Sequence, residues 1–238
     1  MKLLRPLLLV AIIAAGGVYA YQLRATQGNV AAAAPAHYQA EVAAERFPAA
    51  ALDVQEHGRG PIIPATALTG FALPVGYELP TEAELLPGSP REYRGGFHEG
   101  IDFPLSQGMP VAAAKAGKII RIDSDYVEWS VEEQIAGEDI GFKLGYTPEQ
   151  ILDKLRGRQI WIDHGHGVVT RYAHLSSVEL FSVGSIVEQG TIIGRVGNSG
   201  TKAGPHLHIE IRVGESYLGN DLSGDALIRA LRRAFSAG

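Results

Sequence analysis

The chain has 238 residues, room for one ordinary domain plus a leader and a linker. A hydrophobic fraction of 46% is enough for a packed core, and a formal charge of −5 without clusters excludes the footprint of a nucleic-acid binder. There is no cysteine, which excludes disulfides, thiolate metal sites and lipid attachment through an N-terminal cysteine; any metal must sit on His, Asp or Glu.

The first residues read as an export signal. Lys2 and Arg5 make a short positive region, and Leu7 to Tyr21 carry no charge before Arg24. That run is at the upper end for a signal-peptide apolar region and short for a spanning helix. Val18-Tyr19-Ala20 offers small residues for cleavage after Ala20, while Arg24 could snorkel and lengthen a membrane span. Residues 1–21 are therefore a signal peptide or a membrane anchor, and both readings stay open. Either one sends the rest of the chain out of the cytoplasm, to the periplasm or cell envelope. It would be soluble after cleavage, or held at the inner membrane by its N-terminal segment.

Residues 22–70 are rich in alanine and proline, with a low-complexity run at Ala31 to Ala34, and read as a linker holding a short helix over 40–46. His37 and His57 lie here and read as solvent-exposed. The compact domain is expected over 71–218. Short β-rich runs alternate there with glycine turns: Met109–Ala113, Lys118–Ile122, Gln159–Asp163, Val168–His174, Ser185–Glu188, Ile192–Val196 and Leu207–Val213. Many short strands at close spacing argue for a mainly β fold, an antiparallel sheet or sandwich. Residues 126–158 break the pattern as a helical insertion. Thr147 suits an N-cap, Pro148 suits a first helical turn, and Ile151, Leu152 and Leu155 share a face. Residues 219–238 form a C-terminal helix with a stripe of Leu227, Ile228, Leu231 and Phe235.

The chemistry gathers in two places. His206 and His208, two apart on a strand, leave the same face and point into one space. Upstream, His98 and Asp102 bracket Glu99-Gly100-Ile101. Each signal is weak alone, since a His four residues from an Asp is common by chance. His174 closes the run Thr170-Arg171-Tyr172-Ala173-His174, where alternation puts Thr170, Tyr172 and His174 on one face. Glu210 shares a face with His208 and reads equally as a group behind a ligand or as an exposed strand residue. Glu99 has less claim, and His164 and His166 fall in a glycine turn with a structural or solvent role.

Taken together, these blocks resemble the lysostaphin/LytM-type zinc metallopeptidases, bacterial endopeptidases that cut peptidoglycan peptides. The resemblance rests on His98 to Asp102, Gly108 to Ala113, Trp161 to Gly165, Tyr172 to Leu175, the glycine turns at Gly184, Gly190 and Gly194, Gly197 to Gly200, and Gly204 to Glu210. It covers roughly residues 86–213. It implies the LytM-type β domain, one zinc ion with His98, Asp102 and His208 as ligands, and catalytic, non-ligand histidines at His174 and His206. Three ligands leave a fourth position for water, whose pKa zinc lowers to about 7. Two further imidazoles can then serve as general base and as stabiliser of the oxyanion or proton donor to the leaving nitrogen, in either order.

The implied partner is the peptide stem of peptidoglycan. With an export signal and no wall-binding repeat, the bond implied joins D-alanine to diaminopimelate. The N-terminal segment adds membrane contact if it is retained. A non-catalytic activator of another wall hydrolase is the alternative, and family members of that kind typically lack a zinc ligand. The insertion at 126–158 departs from the family pattern and contains none of the five site residues. It could wall the substrate groove, act as a lid or decorate an edge.

Overall fold

The structure, a computed structural model, describes residues 64–74 and 76–236. The apolar leader, all of the linker before Pro64, the short helix expected over 40–46, His37 and His57 lie outside the described residues.

The domain is mainly antiparallel β. Its strands are β1 (Ile101–Phe103), β2 (Pro110–Ala112), β3 (Gly117–Asp123), β4 (Gln159–Asp163), β5 (Val168–Ala173), β6 (Leu175–Val178), β7 (Ile186–Val187), β8 (Ile192–Val196), β9 (Leu207–Val213) and β10 (Ser216–Tyr217). The main sheet runs β1-β9-β5-β4-β3-β7 with β10 paired to β9, and a second sheet runs β2-β8-β6. Period-two alternation decides which face is which. Leu207, Ile209 and Ile211 of β9, Tyr172 of β5, Ile160 and Ile162 of β4 and Ile119 of β3 turn one way. They share an apolar core with Val111, Leu175, Ile193 and Val196 of the smaller sheet. His208 and Glu210 of β9, Arg171 of β5 and Trp161 of β4 turn the other way, and Trp161, Arg171 and Glu210 are direct cross-strand partners.

The core extends a little before residue 71, because Leu68 is buried in it. The C-terminal helix, α3 (Gly224–Ala234), packs into the same core through Leu227, Ala230, Leu231 and Ala234, with Ile228 and Phe235 alongside. Its backbone end holds the domain's start, as the Phe71 N–H donates to the Ala234 carbonyl at 2.9 Å.

The insertion folds as two helices, α1 (Val131–Leu144) and α2 (Glu149–Arg156). Ser130 and Glu133 form a reciprocal capping box at the start of α1, and Gly145 ends it in the left-handed conformation. Trp129 and Ile151 make a small core of their own, with Ile140 and Leu155 against it. Thr147 does not cap α2; Pro148 holds that position without a side-chain bond. The Thr147 hydroxyl instead donates to the Gly95 carbonyl at 2.8 Å and accepts from Arg94 Nη1 at 2.7 Å. Pairing with a buried guanidinium outcompetes capping, and it ties the insertion to the loop that precedes His98.

The expected strand over Val168–His174 is β5 as far as Ala173, and the chain then turns at His174 into β6 of the smaller sheet. β5 belongs to the main sheet and β6 to the smaller one, and His174 is the corner between them, at φ 59°. A non-glycine residue in the left-handed region interrupts the alternation of a strand. His174 therefore does not share the face of Thr170 and Tyr172. Those two bond to each other in the core at 3.1 Å, while His174 is re-aimed toward the opposite face of the main sheet.

Candidate metal centre

Cross-strand pairing assembles the first part of the site. β1 and β9 pair with Asp102 directly opposite His208, so the two side chains leave the same face at neighbouring positions. Ile101 and Phe103 flank Asp102 and anchor β1 by facing the core. His98, just upstream of β1, is only 3% exposed, and its Nδ1 lies 3.0 Å from the Leu86 carbonyl. That bond makes Nδ1 the protonated nitrogen and leaves the Nε2 lone pair facing inward. Gly100 is required by space. A Cβ there would lie 2.8 Å from both Cε1 and Nε2 of His208 and 2.5 Å from the Ile209 carbonyl.

Three donor atoms converge as a result. His98 Nε2 is 3.1 Å from Asp102 Oδ1 and 3.1 Å from His208 Nδ1, and His208 Nδ1 is 2.7 Å from Asp102 Oδ1. A tetrahedral ion with bonds of about 2.0–2.1 Å needs ligand atoms about 3.3 Å apart, close to this triangle. Two imidazole nitrogens and one carboxylate oxygen are a zinc-type donor set. Among the described residues this is the one group of three or more such side chains arranged to hold a metal. The residues fit the ion.

The electrostatics agree with that fit. Burial pushes the Asp102 carboxyl up, but the His98 and His208 rings overcome it and hold Asp102 well below the usual carboxylate range. Burial pulls His208 down, and the Asp102 and Glu210 carboxylates reverse this, raising it to about 9. Burial lowers His98 in spite of Asp102. The Asp102 and Glu210 carboxylates thus favour a positive charge at the His208 ring.

His174 and His206 stand beside the triangle without joining it. Their ring centroids are 4.5 Å apart, and the His174 ring is 5.7 Å from that of His208. His206 Nδ1 bonds the Gly204 carbonyl at 2.8 Å, and its Nε2 lies 3.7 Å from Asp102 Oδ1. His174 Nδ1 bonds the Ser199 carbonyl at 2.9 Å, which leaves Nε2 as the lone-pair nitrogen. Burial, reinforced by His206 and His208, holds His174 well below its ordinary range, so it is a neutral imidazole at pH 7. All five residues singled out from the sequence therefore meet in one place. His164 does not join them; it bonds the Ala116 carbonyl and the Thr170 hydroxyl, each at 2.8 Å, and packs edge-on to Phe71. Glu99 pairs with Arg94 at 2.9 Å.

Three residues of the site were not legible beforehand. Arg91 reaches Asp102 Oδ2 at 3.5 Å. The Ser199 hydroxyl donates to the Leu175 carbonyl at 2.9 Å and accepts from the Arg158 N–H at 2.8 Å, fixing the carbonyl that holds His174. Arg156, from the end of α2, meets Glu210 behind His208 at 2.5 Å. Glu210 itself is fully buried, with Oε1 3.5 Å from His208 Nε2, and is not an exposed strand residue.

Comparisons with known proteins meet the resemblance set out above. Residues 143–219 match the family model described as Peptidase family M23. That stretch includes His174, His206 and His208, and the β1–β9 pairing brings His98 and Asp102 to it. The DD-carboxypeptidase/endopeptidase Mpg of Neisseria meningitidis serogroup B is 34% identical over 116 residues, 49% of this chain and 20% of that protein. Lysostaphin of Staphylococcus staphylolyticus is 32% identical over 122 residues, 51% of this chain and 20% of that protein. A zinc-containing peptidase from Vibrio cholerae aligns in structure at 25% identity and a TM-score of 0.44, covering 66% of this chain and 41% of that one. The chain spans about a fifth of the length of the curated relatives it matches.

Proposed function

We propose, from a domain of the lysostaphin/LytM type, that the chain is a zinc-dependent endopeptidase that hydrolyses peptide cross-links of bacterial peptidoglycan. The observation that carries this reading is the triangle of His98, Asp102 and His208 with two further imidazoles, His174 and His206, beside it and outside it. His98 Nε2, Asp102 Oδ1 and His208 Nδ1 would hold the ion. Bound zinc supplies Lewis acidity toward a peptide carbonyl and activates water near neutral pH.

The chain's own residues do the rest. His174, neutral and fixed by the Ser199 carbonyl, offers Nε2 to accept a proton from water. His206, more open to solvent and fixed by the Gly204 carbonyl, presents Nε2 on the same side. It can stabilise charge developing on the carbonyl oxygen or return a proton to the leaving amine. Leu86 and Glu210 hold the outward nitrogens of the two ligand rings.

The substrate is the peptide stem of the wall, and the bond joins D-alanine to diaminopimelate. Residues 1–21 place the domain in the periplasm or envelope as a signal peptide or an anchor. An activator of another hydrolase would have no need of a complete ligand set with both extra histidines.

The test is digestion of purified peptidoglycan by the purified full chain, followed by mass spectrometry of the released muropeptides. Cross-linked dimers should fall and uncrosslinked peptides rise. A chelator should abolish the change and added zinc should restore it. Intact dimers in the presence of zinc would refute the endopeptidase, and loss of a different bond would refute the substrate assignment.

A further inference from the structure

The segment that closes the insertion, Arg156-Gly157-Arg158, touches the histidines of the site from behind. The Arg156 carbonyl accepts the His174 N–H at 2.8 Å, and the Arg158 carbonyl accepts the Leu175 N–H at 3.0 Å, bracketing the left-handed corner. Such a corner is strained for a residue with a side chain and persists only where its surroundings hold it. Gly157, at φ 65°, lies against Ser199, where a Cβ would meet the Ser199 carbonyl carbon at 2.4 Å. Ser199 in turn supplies the oxygen that bonds His174 Nδ1.

The Arg156 side chain completes the arrangement. It is 3% exposed, and Nε sits 2.5 Å from Glu210 Oε1, the oxygen that faces His208 Nε2 at 3.5 Å. Nη1 is held from the other side by Glu149 at 2.8 Å and Asp153 at 3.2 Å, both on the insertion's own helix. Arg171 and Arg212 approach the second oxygen of Glu210, each at 3.5 Å. A carboxylate behind a ligand imidazole fixes its ring and raises its basicity. Here the carboxylate's nearest fixed cation is supplied by the insertion.

We infer that Arg156 is a positioning residue for the metal centre: through Glu210 it sets the His208 ring, and through its backbone carbonyl it sets His174. The insertion is then part of the site's frame, neither a lid nor a decoration. This inference rests on the metallopeptidase reading and deepens it.

The experiment measures zinc affinity by chelator competition and the visible spectrum of the cobalt-loaded full chain. It compares the wild type, Arg156→Lys, Glu210→Gln and the two combined, with a thermal melt for each. Arg156→Lys keeps the charge but loses the fork that spans Glu210 and Glu149. It and Glu210→Gln should each weaken zinc by about 10- to 100-fold and shift the cobalt bands. The double variant should be no weaker than Glu210→Gln alone, because both act along one path.

A lower melting temperature for Arg156→Lys with wild-type affinity and cobalt spectrum would reduce it to a structural residue and overturn the inference. Effects that multiply in the double variant would overturn it as well. If Arg156→Lys does not fold, Glu210→Gln still decides, since wild-type affinity there means that no path runs through the carboxylate. Failure of the wild type to bind zinc at one ion per chain would instead sink the metallopeptidase reading itself.

Discussion

Asp102 Oδ1 and His208 Nδ1 lie 2.7 Å apart although 106 positions separate them in the chain, because their backbones are direct partners across β1 and β9. A strand pair thus brings an early carboxylate beside a late imidazole. His174 and His206 come from a corner and from the residue preceding β9. On the proposed reading, the strand pair carries groups that hold the ion, and the corner and the strand entry carry groups that act.

That division predicts different losses on truncation. His208→Ala should lose bound zinc and wall hydrolysis together. His174→Ala should keep about one zinc per chain while turnover falls by roughly 10²- to 10⁴-fold, the usual worth of a general acid–base group. Metal analysis beside an activity assay checks both; release of zinc by His174→Ala would overturn the assignment.

Gly100→Ala should damage the site without touching a ligand atom. The added methyl would press on the His208 ring at 2.8 Å and on backbone that belongs to β9 and cannot retreat. Overpacking of this kind costs roughly 1–3 kcal/mol. Zinc affinity should drop by at least about tenfold and the melting temperature should fall, both measured on the purified variant. Unchanged affinity would show that the ring has room to move.

Ser199→Ala removes the hydroxyl that accepts from the Arg158 N–H and donates to the Leu175 carbonyl. Leaving such groups unpaired costs about 1–3 kcal/mol, and the carbonyl that holds His174 loses its support. Turnover should fall with zinc content unchanged. Kinetics of the metal-replete variant would contradict this if turnover stayed at the wild-type value.

Tyr172→Phe provides the opposite signature. Its hydroxyl accepts from the Ala114 N–H at 2.7 Å and bonds Thr170 inside the core, on the far side of the sheet from the histidines. Removing it should cost about 1–2 kcal/mol in denaturant unfolding, with zinc binding and turnover unaltered.

How legible was this in the chain? The His206/His208 pair was readable because a period of two survives in any strand, and Leu207–Val213 is bounded as its apolar pattern suggested. β4 and β8 were readable for the same reason. His98 and Asp102 were readable as residue types at a spacing, but β1, only three residues long, has too little pattern to announce itself. Alternation assumes an unbroken strand, and so it assigns His174 to the wrong face. The left-handed turn that re-aims it depends on Arg156, Arg158 and Ser199, which are distant in sequence. Thr147 failed as a cap for a related reason, since local propensity lost to a buried pairing with Arg94. Charged residues such as Arg156 and Glu210 look solvated in a sequence and become buried only when two elements close over them.

Zinc-edge X-ray absorption on the zinc-loaded full chain shows which side chains surround the ion. One zinc per chain is expected, with four nitrogen or oxygen neighbours at about 2.0–2.1 Å, of which two are imidazoles. Three or more imidazoles in that shell, or no stoichiometric zinc, would contradict it.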